Sequence, residues 1–286
     1  MRLLDKENLR LDMRRLGFEQ ASLKRFENAI QKPFGMVLVT GPTGSGKTNT
    51  LYSAIAQLNK PHVNIMTAED PVEFNLPGIN QVQMKEQIGL NFAAALRSFL
   101  RQDPNIILVG EIRDYETAEI AIKAALTGHL VLSTLHTNDA ASTPGRLLDM
   151  GVPGFMIGST LLAVVSQRLV RVICRYCTKP YTPTTEEMAW VKHFAGDHLD
   201  EANFRRGKGC TRCNGVGYSG RVGIYEILEM DPELAAAIHD GNPTTFERAA
   251  RKALGRNTME RRALALVLAG ETTVSEAMSV VTSTEI

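Results

Sequence analysis

The stretch GMVLVTGPTGSGKTNTLYSAI, residues 35–55, decides how the chain is read. A short apolar run ends at Thr40, a glycine-rich turn follows, and apolar residues then recur at helical spacing through Leu51, Ile55 and Leu58. The order is strand, loop, helix. Within it Gly41, Pro42, Thr43, Gly44, Ser45, Gly46, Lys47 and Thr48 fit the pattern GxxxxGK[ST]. Glycines let such a loop curl until successive amide N–H groups point at phosphate oxygens, and the helix N-terminus adds its partial positive charge. Lys47 reaches the β and γ phosphates and the Thr48 hydroxyl ligates Mg²⁺. The motif therefore predicts binding of ATP with Mg²⁺, with Asn49 beside the metal-binding hydroxyl. The rival reading, a strand-to-helix turn without a ligand, leaves the lysine and the hydroxyl unexplained.

Outward from this loop, β-type runs at residues 63–66, 106–109 and 130–133 alternate with helical spacing at 92–100 and 117–126. Strands alternating with helices imply an α/β domain around a mostly parallel sheet. Residues 1–34 read as a linker and an amphipathic helix, the remnant of an upstream domain, and 35–165 as the α/β core. Residues 140–170 read as helical with a break at 151–154. Residues 166–230 hold all the cysteines, and 231–286 read as a subdomain of three short helices. The 286 residues are 44% hydrophobic, which excludes a disordered chain. With 32 basic and 31 acidic residues the formal charge is +1, and aromatic residues are 6%, so nucleic acid is not an expected partner. No apolar run approaches the roughly 18 residues of a membrane helix, and the N-terminus lacks a secretory signal. The expectation is a soluble, intracellular chain.

Hydrolysis needs acidic groups where an open α/β sheet presents its crevice, at the carboxyl ends of the strands. Three segments qualify. One strand runs into Glu69, Asp70, Pro71, Val72 and Glu73, and spacing alone does not choose between the two glutamates. Another, apolar throughout, runs into Gly110 and Glu111, with Arg113 and Asp114 beyond. The third ends at His136, with His129 at its other end. Carboxylates here can hold Mg²⁺ or orient the attacking water, and a histidine can read the γ-phosphate by hydrogen bonding. Arg113 and Arg146 are further candidates for nucleotide or subunit contacts.

Cys174, Cys177, Cys210 and Cys213 form two CxxC pairs, and no other cysteine occurs. Two such turns supply the four thiolates of a closed tetrahedral Zn²⁺ site. A redox dithiol normally occurs singly at a helix start, so structural zinc is the expectation, with the intervening sequence a loop or hairpin held at its base. Residues 168–221 carry ten Lys or Arg against five Asp or Glu, a locally basic region that fits acidic segments of a partner, anionic headgroups or simply solvent.

Taken together, GPTGSGKT at 41–48, AEDPVE at 68–73, RQDPNIILVGEIRD at 101–114 and TGHLVLSTLHTNDA at 127–140 resemble, in order and spacing, the Walker A, Asp box, Walker B and His box of the secretion ATPase superfamily. More narrowly, the chain resembles the C-terminal ATPase domain of type II secretion and type IV pilus assembly ATPases. The resemblance implies a RecA-like P-loop core with a smaller zinc-bearing and helical C-terminal lobe. It also implies a hexameric ring of identical chains, peripheral at the cytoplasmic face of the inner membrane, hydrolysing ATP to drive an inner-membrane platform protein. It assigns water activation to Glu69, support of Mg²⁺ to Glu111 and γ-phosphate sensing to His136. It matches Arg2 to an arginine that acts on the neighbouring subunit, and it favours assembly over retraction motors, which generally lack the tetracysteine element. Asn105 and Asn49 depart from the family's usual Asp and Thr. The readings that compete with an assembly motor are a retraction motor, a nucleic-acid-translocating RecA-like ATPase and a nucleotide-binding module without turnover.

Overall fold

The structure, a computed structural model, describes residues 11–195 and 202–282; Arg2 lies outside them. Apolar, largely β-branched runs form the strands that neighbour one another, the polar edge strand Asn80–Gln83 excepted. They are β1 (Gly35–Thr40), β2 (Ile65–Glu69), β3 (Asn80–Gln83), β4 (Ile106–Val109), β5 (Leu130–Leu135) and β6 (Leu161–Ile173), with β9 (Tyr218–Glu229) completing a seven-stranded sheet in the order β3-β2-β4-β5-β1-β6-β9. The pairs β3–β2, β2–β4, β4–β5, β5–β1 and β1–β6 are all parallel. Strands β1, β4 and β5 are buried at every position, the pattern of a sheet covered on both faces. The fold is thus mixed α/β around a parallel sheet.

The chain forms two compact units. The first comprises residues 1–166 and 227–254. Its helices are α1 (Gln20–Ile30), α2 (Lys47–Leu58), α3 (Phe92–Phe99), α4 (Tyr115–Leu126), α5 (Thr143–Asp149), α6 (Gly154–Thr160), α8 (Pro232–His239) and α9 (Pro243–Leu254). Leu38, Leu96, Ile107, Ile122 and Val131 share one core with Ile238 and Phe246 of α8 and α9, each such side chain contributing about 1.5–3 kcal/mol by leaving water. The second unit comprises residues 167–226 and 255–286. It holds a two-stranded antiparallel sheet of β7 (Thr178–Pro180) and β8 (Arg205–Gly207), with α7 (Thr185–Ala195), α10 (Met259–Leu268) and α11 (Val274–Thr282). Its core is built from Val170, Val191, Ile224, Leu264, Val267 and Ala277.

Several elements differ from the sequence reading. The helix expected to 170 stops at Thr160, and β6 follows; nearly every residue of its inner part is buried, so no polar face marks period two and a continuous apolar run reads as either element. Strand β2 extends to Glu69, which makes that glutamate the strand's last residue instead of a loop residue. β3 was invisible because NQVQ carries only one apolar residue and lies at the sheet edge. The gap between the cysteine pairs holds a helix, α7, besides its hairpin. The expected three C-terminal helices are four, because Gly255, at φ 53°, ends α9 before α10 begins. They are shared between the units, α8 and α9 burying their apolar faces in the first and α10 and α11 in the second. Among the described residues no helix is long and apolar enough to cross a membrane.

Candidate active site

Parallel registers bring four segments to one edge of the sheet. Thr40 lies opposite Leu135, Val109 opposite Ser133, and Ala68 opposite Val109, so the residues that follow β1, β4 and β5, and the last residue of β2, all emerge at the carboxyl ends. The Gly41–Thr48 loop, Glu69, Glu111 and His136 therefore share that edge, and His129 lies at the opposite one. There the His129 ring Nδ1 is 2.9 Å from the Ala124 carbonyl oxygen at the end of α4, a structural role.

The loop after β1 has the backbone its sequence demands. Gly41, Gly44 and Gly46 have φ of 135°, 78° and 90°, conformations that a side chain resists. Gly46 is the N-cap of α2 and offers no side-chain acceptor, so no side chain caps the first turn of the helix. The Lys47 Nζ donates to the Gly41 carbonyl at 2.7 Å and the Pro42 carbonyl at 3.1 Å, which holds the ammonium over the loop. Thr48 is exposed on the first turn and Asn49 is half-buried, its carbonyl accepting from Ser53 Oγ at 2.7 Å. A helix N-terminus without a side-chain cap, an ammonium and an exposed hydroxyl on one glycine-rich loop are the groups that a triphosphate and its Mg²⁺ call for.

The two glutamates sit in different surroundings. Glu69 is 4% exposed. One carboxylate oxygen accepts from the Tyr52 hydroxyl, and the other from Thr67 Oγ1 at 2.5 Å and Gln81 Nε2 at 3.0 Å. Thr67 precedes it by two residues and so shares its face of β2. The Tyr52 hydroxyl also accepts from the Glu73 amide at 3.3 Å, and burial with the neighbouring carboxylate pushes its pKa well above the ordinary phenol range. Glu111 is more open, its side chain 14% exposed. It pairs with Arg113 through one oxygen and lies 3.5 Å from the His136 Nε2 through the other. Hydrogen bonding to Glu111 holds the Arg113 guanidinium charged still more firmly than usual. The Ile112 amide donates to the Thr134 carbonyl at 3.0 Å and the Thr134 hydroxyl to the Gly110 carbonyl at 2.7 Å, which fixes the Glu111 loop to β5. A side chain at Gly110 would bring its Cβ to 3.1 Å from the Ala68 carbonyl oxygen and 3.4 Å from the Glu69 Cα, a tight fit that would push the two acidic segments a few tenths of an ångström apart.

The loop after His136 is anchored from α9. Asp139 accepts from the Ser142 amide at 2.7 Å and from Arg251 Nη2 at 3.0 Å. Sequence reasoning missed Tyr52, Thr67, Gln81, Asp139 and Arg251. Tyr52 alone carried a signal, a phenol on an otherwise small and apolar helix face. Arg146 is exposed on α5, and Asn105 accepts from the Asn64 amide at 2.7 Å at the amino end of the sheet, remote from the site.

In the second unit the four cysteine sulfurs lie within 4.8 Å of one another. Cys174 and Cys210 are 3.9 Å apart, Cys177 and Cys213 3.8 Å, and Cys210 and Cys213 3.6 Å. Zn–S bonds of about 2.3 Å in a tetrahedron set sulfurs about 3.8 Å apart, so the cluster has the dimensions of a Zn²⁺ site. Desolvation raises the Cys213 thiol pKa, but the Cys210 and Gly217 amides, donating to its sulfur at 3.2 Å and 3.3 Å, outweigh it and favour the thiolate.

The sequence profile of the family described as Type II/IV secretion system protein matches residues 1–279. The Type IV pilus assembly ATPase PilB of Myxococcus xanthus is 52% identical over 276 residues, 96% of this chain and 49% of that protein. The Type II secretion system protein HxcR of Pseudomonas aeruginosa is 47% identical over 280 residues, 98% of this chain and 55% of that one. The chain thus spans about half the length of these relatives. Among solved structures, the pilus retraction motor PilT with bound ADP aligns with a TM-score of 0.68 at 30% identity, over 94% of this chain and 66% of that one. The ATPase DotB of Legionella pneumophila aligns with a TM-score of 0.68 at 25% identity, over 93% and 64%.

Proposed function

The chain belongs to the Type II/IV secretion system protein family, and from that premise we propose that it is the Mg²⁺-dependent ATP-hydrolysing part of a hexameric motor. The motor powers assembly of a type IV pilus or a type II secretion pseudopilus through a platform protein, at the cytoplasmic face of the inner membrane. The observation that carries this reading is the convergence of the Gly41–Thr48 loop, Glu69, Glu111 and His136 at the carboxyl ends of neighbouring parallel strands.

In this reading the loop amides and Lys47 bind the phosphates, and Thr48 and its neighbours hold Mg²⁺, which would neutralise charge on the phosphate oxygens. The residue roles depart from the sequence expectation in one respect. Glu69 is buried and both its carboxylate oxygens accept from neighbouring side chains, which leaves a water little access to them, and its role in this reading is to fix β2 against α2. Glu111, more open and beside His136, orients the attacking water, and His136 reads the γ-phosphate. The four cysteines hold a structural Zn²⁺ with no open position.

Hydrolysis of ATP by Lys47→Ala, Glu111→Gln and Glu69→Gln tests the assignment. The expectation is loss of nucleotide binding in the first, and retained binding with turnover down by about 10²–10⁴ in the second. The third should keep more activity than the second; a larger loss in Glu69→Gln returns water activation to Glu69. The likeness to the retraction motor PilT supports a second reading, retraction. The higher identity to an assembly ATPase and the four-cysteine cluster weigh for assembly.

A further inference from the structure

The second unit carries an exposed feature that nucleotide chemistry leaves unused. Residues 167–185 contain four Lys or Arg and residues 202–225 contain five, and neither stretch contains Asp or Glu. Arg168 and Arg171 are committed internally, to the Val280 carbonyl and to Glu276. Of the others, Arg175, Lys179, Arg206, Lys208, Arg212 and Arg221 form no ion pair with a described carboxylate.

The cysteine turns order part of this charge. In each turn the second cysteine's amide donates to the first cysteine's carbonyl at 3.2 Å, which throws the two middle residues outward, Arg175 and Tyr176 from one turn and Thr211 and Arg212 from the other. Closure of the sulfurs brings the turns together. The Arg212 guanidinium then lies 4.1 Å from the Tyr176 ring centre and that of Arg175 4.8 Å from it, and Arg175 Nη2 donates to the Tyr176 hydroxyl at 2.7 Å. Tyr176 is 53% exposed and the nearby Val216 63%. A guanidinium held against an aromatic ring loses mobility, while the N–H groups not spent on the Tyr176 hydroxyl stay available to a carboxylate.

We propose that this arginine–tyrosine–arginine tip is a docking surface for an acidic, Asp- or Glu-rich segment of a partner protein. Composition favours a protein over a lipid surface. Arg and Tyr are enriched at the centres of protein interfaces, whereas membrane attraction relies on clusters of mobile basic side chains and free apolar groups. Here the guanidiniums are held against the ring and are not mobile basic side chains. The inference stands apart from the nucleotide site and survives its failure.

The test is fluorescence anisotropy of a fluorescein-labelled peptide of repeated Glu-Asp-Ser units, alongside co-sedimentation with vesicles of phosphatidylcholine and phosphatidylglycerol. The proteins compared are the unmodified chain and the double variant Arg175→Lys, Arg212→Lys, which keeps both charges but loses the fork. The expected result is salt-sensitive peptide binding that weakens by about tenfold in the double variant, with vesicle binding the same for both. Equal peptide affinity in the two proteins, or binding to vesicles and not to the peptide, overturns the proposal.

Discussion

Tyr52 is the residue on which the acidic side of the site depends most. It is buried on α2 and its hydroxyl donates a hydrogen bond to Glu69, so Tyr52→Phe leaves a buried carboxylate short of a donor. The expected cost is about 1–3 kcal/mol in unfolding free energy, measured by urea denaturation, with a smaller effect on nucleotide affinity because Tyr52 does not belong to the loop. Asp139 ties stability to pH. Desolvation raises its pKa, but the Ser142 amide and the Arg251 guanidinium outweigh that and hold it below the ordinary aspartate value. A carboxyl with a depressed folded pKa stabilises fully above its unfolded value of about 3.9, and that contribution disappears as the pH falls through the lower folded value. Because Arg251 is more than half exposed, Asp139→Asn should cost only about 0.5–1 kcal/mol at neutral pH and nothing in strong acid, as denaturation at the two pH values would reveal. The loop residues 41–48 were legible from sequence because each of their types answers a phosphate chemistry. Tyr52, Gln81 and Arg251 were not, since their partners lie 17, 12 and 112 positions away and nothing local marks the pairing.

Elements meet where side chains permit. A Cβ at Gly154 would lie 1.9 Å from the Ile238 carbonyl oxygen, so α6 and α8 pack through a contact that only glycine allows. Gly154→Ala should destabilise the chain by about 1–3 kcal/mol or more, read as a lowered thermal midpoint, whereas Gly44→Ala meets open space and is penalised by its positive φ alone. The sequence pattern located β1, β4, β5, α3 and α4 from apolar runs and helical spacing, and the structure adds that Asn91 and Asp114 cap α3 and α4. It missed β6 and β3 for opposite reasons, one too uniformly apolar and the other too polar. The four-cysteine cluster makes its own prediction. One equivalent of zinc per chain should be measured by atomic emission, its removal with a chelator should lower the thermal midpoint of the second unit, and Cys210→Ser should abolish stoichiometric zinc. Cysteines that bind no metal under anaerobic purification would contradict the assignment.

Across the whole molecule, the carboxyl edge of one parallel sheet gathers four segments separated by much of the first unit's sequence. That gathering follows from topology, because parallel strands deliver every outgoing loop to the same side. It explains why an ordered set of short motifs was enough to read the core. The division into units was less legible, since α8 and α9 return to the first unit after the cysteine-bearing segment and no composition change announces the return. Every catalytic role proposed above presupposes that this edge is a nucleotide site built on the Gly41–Thr48 loop. Calorimetric titration of the chain with ATP in the presence of Mg²⁺ tests it directly. One site per chain is expected, with loss of at least about a hundredfold in affinity in Lys47→Ala. Equal affinity in the two proteins, or no binding by either, would contradict it.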